Sequence, residues 1–197
     1  MGLFNYLIQQ SKKPKGNIGK IMLNIMNNAH KNIFKFGIEN LNIKENIKIL
    51  DLGFGGGKLL KILSKKYKNI ELFGIDFSED ALKTASKNNQ KDIKNGKIKL
   101  LQSDIEQIPY PDYFFDIITA FQTHFYWNDL ENKICEIYRV LKTEGQLLVV
   151  AEKYKINYHM KGYKTKNELE ELLKETGFNK IEYNETKENM YIKGIKL

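Results

Sequence analysis

Short apolar runs alternate along this chain with segments in which apolar residues recur every three or four positions. Continuous apolar runs are typical of strands buried on both faces, and the second pattern is typical of amphipathic helices. The predicted strands are residues 47–52, 70–75, 98–103, 115–121, 146–151, 180–185 and 190–195. This alternation predicts an α/β fold, a doubly wound and mostly parallel seven-stranded sheet with helices on both faces.

Capping signals predict where several helices begin and end. Three polar residues stand immediately before helical patterns, as N-caps do: Ser78, Asn128 and Thr165. Glu131 and Glu168 follow the second and third of them at the spacing of a capping box. Gly177 ends the last pattern, where a left-handed residue commonly terminates a helix. Another helix is predicted at residues 58–67, directly after the first strand.

The domain organisation follows from the same pattern. Residues 1–45 are helical in pattern and precede the first predicted strand. Residues 46–151 hold five strands and their helices, and residues 152–197 hold a last helix and the final strands. A chain of 197 residues is long enough for one core. We therefore predict a single domain over residues 1–197.

The charge and the cysteine content limit which partners and which metal sites the chain can have. The net charge of +8 and the pI of about 9.3 raise the question of nucleic-acid binding. Arg139 is the only arginine, however, and the lysines are spread through every segment, so the sequence does not favour a nucleic acid as partner. Cys135 is the only cysteine, which excludes disulfides within the chain and metal sites of several thiolates. Its helical position predicts a buried, inert thiol.

No apolar run approaches the roughly 18 residues that a membrane span needs. The first residues also lack a basic leader and a small-residue cleavage site. We expect a cytoplasmic protein.

The stretch ILDLGFGGGKLL at residues 49–60 joins a strand, a glycine-rich turn and a helix. A nucleoside triphosphate loop requires Ser or Thr where Leu59 stands, and a dinucleotide loop requires a glycine where Lys58 or Leu60 stands. The remaining frame is D-x-G-x-G-x-G, which begins at Asp51 and includes Gly53 and Gly55. An acid beside bare backbone suits a cationic nucleoside without phosphate, and S-adenosyl-L-methionine has that chemistry.

The chain resembles the class I S-adenosylmethionine-dependent methyltransferases, in the small-molecule branch that includes ubiquinone, menaquinone and sterol methyltransferases. The resemblance runs from about residue 16 to the end, through LDLGFGGGKLL, GIDFS, QSDIEQIPYPDYFFDIITAF and EIYRVLKTEGQLLVV. It implies a Rossmann-like fold in which the N-terminal helical segment forms a lid over the active site.

The resemblance also implies contacts with the cofactor beyond the glycine turn. Asp76 ends the second strand, 23 residues after Gly53, where a carboxylate can accept both ribose hydroxyls. In the family, an aromatic residue at the position of Phe77 packs on adenine. The acid at Asp104 accepts the exocyclic amine, and the backbone of Ile105 reaches a ring nitrogen. Phe121 ends the fourth strand and is expected to flank the cofactor.

The residues that would bind the methyl acceptor are less clearly indicated by the sequence. The segment FQTHFYWNDL after the fourth strand supplies three candidate pocket residues, His124, Tyr126 and Trp127. Met26 and His30, in the implied lid, are two further candidates. Each of them is equally compatible with ordinary packing, and no catalytic base is assigned. We find no acidic cluster that predicts a metal site.

The function that these features favour is methyl transfer to a small molecule. Two alternatives remain open at this point. One is an RNA or protein methyltransferase, supported only by the charge. The other is a catalytically silent module that binds the cofactor or a partner. The oligomeric state is not predicted.

Overall fold

A computed structural model describes residues 31–197. Its centre is one sheet of seven strands in the order β3-β2-β1-β4-β5-β7-β6. The pairs β1–β2, β1–β4, β2–β3 and β4–β5 are parallel, and β7 runs antiparallel to both of its neighbours. The strands are β1 (Ile47–Leu52), β2 (Ile70–Asp76), β3 (Ile98–Gln102), β4 (Phe115–Phe121), β5 (Leu141–Glu152), β6 (Phe178–Glu185) and β7 (Asn189–Lys196).

Helices cover both faces of the sheet. They are α1 (Lys31–Ile38), α2 (Lys58–Lys66), α3 (Glu79–Asn88), α4 (Gln90–Lys94), α5 (Leu130–Val140), α6 (Lys153–His159) and α7 (Lys166–Thr176). Apolar residues of α1, α2 and α3 pack in one buried cluster with one face of the sheet. Those of α5, α6 and α7 pack in a second cluster with the opposite face. The predicted fold class, a doubly wound and mostly parallel sheet, is therefore confirmed.

The predicted strands match the observed ones closely, and β5 differs most. It begins at Leu141, five residues before the predicted start at Gln146, because Phe115 pairs with Leu141 and Ile117 pairs with Gln146. The intervening residues form an irregularity in which Glu144 has a positive φ of 62°. Residues 142–144 are polar and at least partly exposed, so the apolar pattern breaks between the buried Leu141 and Gln146 although the strand continues.

Three capping predictions are confirmed and one is wrong. The Ser78 hydroxyl accepts a hydrogen bond from the Ala81 N–H, and Thr165 forms a capping box with Glu168. Gly177 terminates α7 with φ 111°. The N-cap of α5, however, is Asp129 and not Asn128. The Asp129 carboxylate accepts from the Asn132 N–H, a bond that a neighbouring Asp can make as well as an Asn.

The prediction that Cys135 is buried is also wrong, because its thiol is exposed. The buried face of α5 is set by Leu130, Ile134 and Ile137. Cys135 lies about 100° around the helix from Ile134, and this rotation turns it away from the sheet.

In the part of the chain that the structure covers, no helix combines the length and apolar character that crossing a membrane requires.

The carboxyl ends of the central parallel strands meet at one edge of the sheet, hereafter the carboxyl edge. Leu52, the last residue of β1, pairs with Ile75 of β2 and Ala120 of β4. Residues that follow these strands therefore meet in space although they are far apart in sequence, and ligands of open α/β sheets bind at this edge.

Candidate functional site

The turn after β1 has a backbone that only glycine adopts easily. Gly53, Gly55 and Gly57 have φ values of 69°, 52° and 71°. A Cβ added at Gly53 would lie 2.4 Å from the Thr123 Oγ1, and one at Gly57 would lie 2.5 Å from the Asn89 Nδ2. The glycines therefore serve two purposes: they permit the left-handed conformation, and they let the turn pack against the ends of β4 and α3.

Asp76 ties this turn to the end of β2. It is buried, and its Oδ2 accepts from the Gly55 N–H at 2.8 Å while its Oδ1 accepts from the Ser78 N–H at 2.9 Å. Burial raises the pKa of this carboxyl, and the two N–H donors offset only part of the effect. The side chain thus links a glycine of the turn to the start of α3.

Asp51 is the second buried acid, only 3% exposed near the end of β1. Its Oδ1 accepts from the Thr119 hydroxyl at 3.0 Å. Burial raises its pKa to about 8; the Thr119 hydrogen bond lowers it, and the nearby Asp76 raises it further. Ionisation of either acid is favoured by a cationic ligand and opposed by a phosphate, because charges interact strongly where water is scarce.

Two asparagines at the end of α3 also hold the turn, and sequence reasoning missed them. The side-chain amide of Asn88 donates to the Gly56 carbonyl at 2.9 Å, and that of Asn89 donates to the Gly57 carbonyl at 3.1 Å. They lie 32 residues from these glycines. Only the fold brings them together, so no local pattern in the sequence indicates the contact.

The residues after β2 and β3 lie side by side, because Asp76 pairs with Gln102. The Phe77 ring is 43% exposed, so it is not part of the core. Its carbonyl accepts from the Gln102 side chain at 3.1 Å. Asp104 is exposed, and Ile105 beside it is buried.

Arg139 of α5 holds the loop that follows Asp104. Its guanidinium donates to the carbonyls of Ile108 and Tyr110 and to the carboxylates of Asp112 and Glu136. The planar fork of arginine suits several acceptors at fixed positions. The sequence identified Arg139 only as the lone arginine, and its partners became visible in the fold.

Phe121 at the end of β4 and His124 just after it are both buried, but they have different neighbours. The Phe121 ring is buried against Phe34 of α1, with 5.6 Å between ring centroids. Gly37 of α1 lies so close that an added Cβ would be 2.4 Å from the Phe121 ring. This side chain packs in the core beneath α1.

His124 is 1% exposed, and neither ring nitrogen has a hydrogen-bond partner among residues 31–197. Burial lowers its pKa to about 4, so the imidazole is neutral at neutral pH. Trp127 contacts its ring with a centroid distance of 6.5 Å.

An aromatic cluster forms where the carboxyl ends of β4 and β5 meet. The ring of His159 in α6 stacks on Phe125, with centroids 5.5 Å apart and an angle of 11° between the planes. It also meets the edge of Tyr126 at 4.9 Å. Tyr126 and Trp127 remain partly accessible. The structure therefore brings the three candidate residues of this segment together at the carboxyl edge, next to the glycine turn, whereas Met26 and His30 lie outside the described residues.

Comparisons with known proteins identify the family. Residues 50–149 match the family described as "Methyltransferase domain". The chain is 32% identical over 128 residues to "Uncharacterized methyltransferase YdaC" of Bacillus subtilis (strain 168), and the match covers 65% of this chain and 68% of the relative.

A further relative is named for its substrate. The chain is 31% identical over 103 residues to "Demethylmenaquinone methyltransferase" of Thermus thermophilus, a match that covers 52% of this chain and 46% of that protein. The chain therefore spans less than half the length of this relative.

A solved structure agrees in fold. The "SAM dependent methyltransferase from Aquifex aeolicus" superposes with a TM-score of 0.75 at 19% identity, covering 90% of this chain and 98% of that one. The matched domain and the YdaC relative show that the chain belongs to the family of S-adenosylmethionine-dependent methyltransferases.

Proposed function

We propose that this chain transfers a methyl group from S-adenosylmethionine to a small-molecule acceptor that binds at the carboxyl edge of the sheet. The cofactor would contact eight residues: Asp51, Gly53, Gly55, Asp76, Phe77, Asp104, Ile105 and Phe121. The acceptor would bind on the side of His124, Tyr126 and Trp127, and Met26 and His30 of the N-terminal segment are two further candidates for contact with it.

The charge of the site supports this cofactor. When bound, S-adenosylmethionine supplies a methyl group activated by a sulfonium, together with an ammonium at its amino-acid end. In this proposal the Asp51 carboxylate binds the ammonium, and a hydrogen bond to a charged group contributes on the order of 1.5–3 kcal/mol. Asp51 then binds in its ionised form, although burial raises its pKa to about 8 in the free chain.

The remaining contacts would orient the nucleoside. Each oxygen of Asp76 already accepts one backbone N–H, and a carboxylate has further lone pairs that can accept the two ribose hydroxyls. The exposed Phe77 ring directly follows and offers a flat apolar surface for a base. Phe121 acts through its backbone at the end of β4, because its ring packs against α1.

The described part of the acceptor side is aromatic. Aromatic side chains exclude water and provide flat surfaces, which suits a small, partly apolar molecule. His124 is neutral, but a pKa of about 4 makes it a weak base. A base is needed only if the acceptor must lose a proton, so we assign alignment and water exclusion to these residues. The relative named for demethylmenaquinone supports a small acceptor.

The observation that carries the cofactor assignment is the pair of buried acids around the glycine turn. Asp76→Asn should lower the affinity for S-adenosylhomocysteine at least about ten-fold, because the amide cannot accept both hydroxyls and keep its backbone partners. Isothermal calorimetry measures this loss. Glu71→Gln is the matched control, since Glu71 lies on the same strand but is exposed and pairs with Lys99. Equal affinity in Asp76→Asn and wild type would refute the ribose assignment.

The acceptor class needs its own experiment. Cofactor with a labelled methyl group is incubated with the protein and a cell extract, which is then separated into small-molecule, RNA and protein fractions. We expect enzyme-dependent label in the small-molecule fraction. Label confined to RNA or protein would instead support the macromolecular alternative. Cofactor binding without label in any fraction would support a silent module.

A further inference from the structure

A buried lysine contacts the acid to which the proposed function assigns the adenine amine. Lys133 lies in the first turn of α5, and its side chain is 6% exposed. Its ammonium is 3.3 Å from the Asp104 Oδ1 and 3.3 Å from the Glu106 Oε1. The two carboxylates come from the loop after β3, so this lysine joins α5 to the end of β3.

The exposure of the three side chains shows which of them is fixed. Asp104 and Glu106 are 65% and 74% exposed, whereas the Lys133 stem is enclosed by its surroundings. A buried ammonium is stabilised only when it is paired, and its position is set by packing. The exposed carboxylate therefore adjusts to the lysine, and the lysine determines where the Asp104 carboxylate lies.

A second donor acts on the same oxygen. The Glu106 N–H donates to the Asp104 Oδ1 at 3.0 Å, so two donors converge on one oxygen of the carboxylate. The side chain is still largely exposed and can accept from a ligand as well. Partial burial would raise the pKa of Asp104, but the Glu106 N–H and the Lys133 ammonium together bring it below its usual value.

An ionised carboxylate only accepts hydrogen bonds. Adenine presents an amine donor at its six position, whereas hypoxanthine presents a carbonyl acceptor there. We propose that Lys133 is a positioning residue that fixes Asp104 as an acceptor and so makes the site select an adenine nucleoside over its six-oxo counterpart. This inference rests on the proposed function, in which Asp104 faces the base.

The test compares S-adenosylhomocysteine with S-inosylhomocysteine by calorimetry. Wild type should bind the first more tightly. Lys133→Met keeps the apolar stem and removes the ammonium, and it should weaken S-adenosylhomocysteine binding by about three- to ten-fold. Binding of S-inosylhomocysteine should change less than about two-fold, so the ratio of the two affinities falls.

Two controls separate positioning from general damage. Lys142→Met breaks another lysine–carboxylate pair, the one with Asp116 at the opposite edge of the sheet, and it should leave the ratio unchanged. Glu106→Gln removes the second acid but keeps the backbone N–H that reaches Asp104, and it should also preserve the ratio. In an Asp104→Asn background, Lys133→Met should have little further effect on binding, because the two residues act as one unit.

The outcomes are distinct. A Lys133→Met protein that melts like wild type and keeps the wild-type ratio overturns the inference, as does an equal loss of affinity for both ligands. A wild-type protein that binds neither ligand instead overturns the proposed cofactor assignment.

Discussion

At the scale of single residues, the site depends on groups that are unfavourable for folding. Asp51 and His124 are both buried and ionisable, and burial shifts the pKa of each towards its neutral form. Both pKa shifts disfavour the charged form of the side chain, which is the form that interacts most strongly with ligands and with water. Residues that reduce stability in the free chain are typical of binding sites, where the ligand supplies the missing partner.

The pKa of Asp51 leads to a prediction about pH. Burial raises the pKa of Asp51 from its ordinary value of 3.8 to about 8 in the folded chain, so the folded state holds the proton more tightly. The stability of wild type should therefore fall as pH rises from about 4 to about 8, where the buried carboxyl loses its proton. Asp51→Asn removes this ionisation and retains an acceptor for the Thr119 hydroxyl.

At about pH 8, we expect the free energy of unfolding of Asp51→Asn to exceed that of wild type by more than about 1 kcal/mol, since one pKa unit corresponds to about 1.4 kcal/mol. Urea denaturation at several pH values measures the difference. The same variant should lose affinity for S-adenosylhomocysteine, which carries the ammonium. A variant that is less stable than wild type at both acidic and alkaline pH would contradict this account of Asp51.

At the scale of elements, the glycine turn is held from three sides. Asp76 of β2 accepts a hydrogen bond from a backbone N–H of the turn, and Asn88 and Asn89 at the end of α3 donate to two of its carbonyls. Thr123, which follows β4, lies against Gly53. The turn is therefore part of the packed structure and not an independent loop. Its conformation depends on strands and helices that are distant in sequence.

Substitution of Gly53 tests this packing. Gly53→Ala adds a Cβ 2.4 Å from the Thr123 Oγ1 at a residue with φ 69°. Gly96→Ala is the matched control, because Gly96 has φ 74° and nothing within 4 Å of the added Cβ. The control should cost about 1 kcal/mol of stability from backbone strain alone.

Gly53→Ala should cost about 1–3 kcal/mol more than the control, because the clash is added to the strain. It should also weaken S-adenosylhomocysteine binding, which Gly96→Ala should not. Thermal denaturation and calorimetry supply the two measurements. Equal losses of stability in both variants would show that Thr123 moves aside without cost.

At the scale of the whole molecule, charge and fold point to different partners. The net charge of +8 favours the binding of polyanions in general, whereas the glycine turn and the acids at the carboxyl edge suit a small nucleoside. Among the described residues, lysines such as Lys99, Lys142 and Lys193 pair with acidic side chains of neighbouring strands. These pairs do not reduce the net charge, but they hold some of the lysines within the sheet instead of in one basic patch.

We therefore expect only weak, non-specific RNA binding. A fluorescence titration with single-stranded RNA should show affinity that falls steeply between about 0.05 and 0.2 M salt, because binding would depend on counterion release. Addition of S-adenosylhomocysteine should not change it. Tight RNA binding that persists at the higher salt concentration would favour the macromolecular alternative over a small acceptor.

The sequence by itself determined the fold class and the glycine turn. Strand positions and the caps at Ser78 and Thr165 follow from patterns within a few residues of each other, and the prediction of a cationic ligand beside Asp51 rests on the same kind of pattern. Such patterns are local: periodicity, capping and backbone freedom act over one or two turns of chain, so they are visible without the fold.

Only the tertiary structure decided which distant residues complete the site. Asn88 and Asn89 reach the glycine turn, Lys133 reaches Asp104, and His159 stacks on Phe125, although each pair is far apart in sequence. Burial was decided at the same level, since Cys135 of the amphipathic helix α5 is exposed and His124, just after β4, is buried. The physical reason is that parallel strands joined by helices collect their carboxyl ends at one edge, and contacts across that edge leave no periodic signal in the sequence.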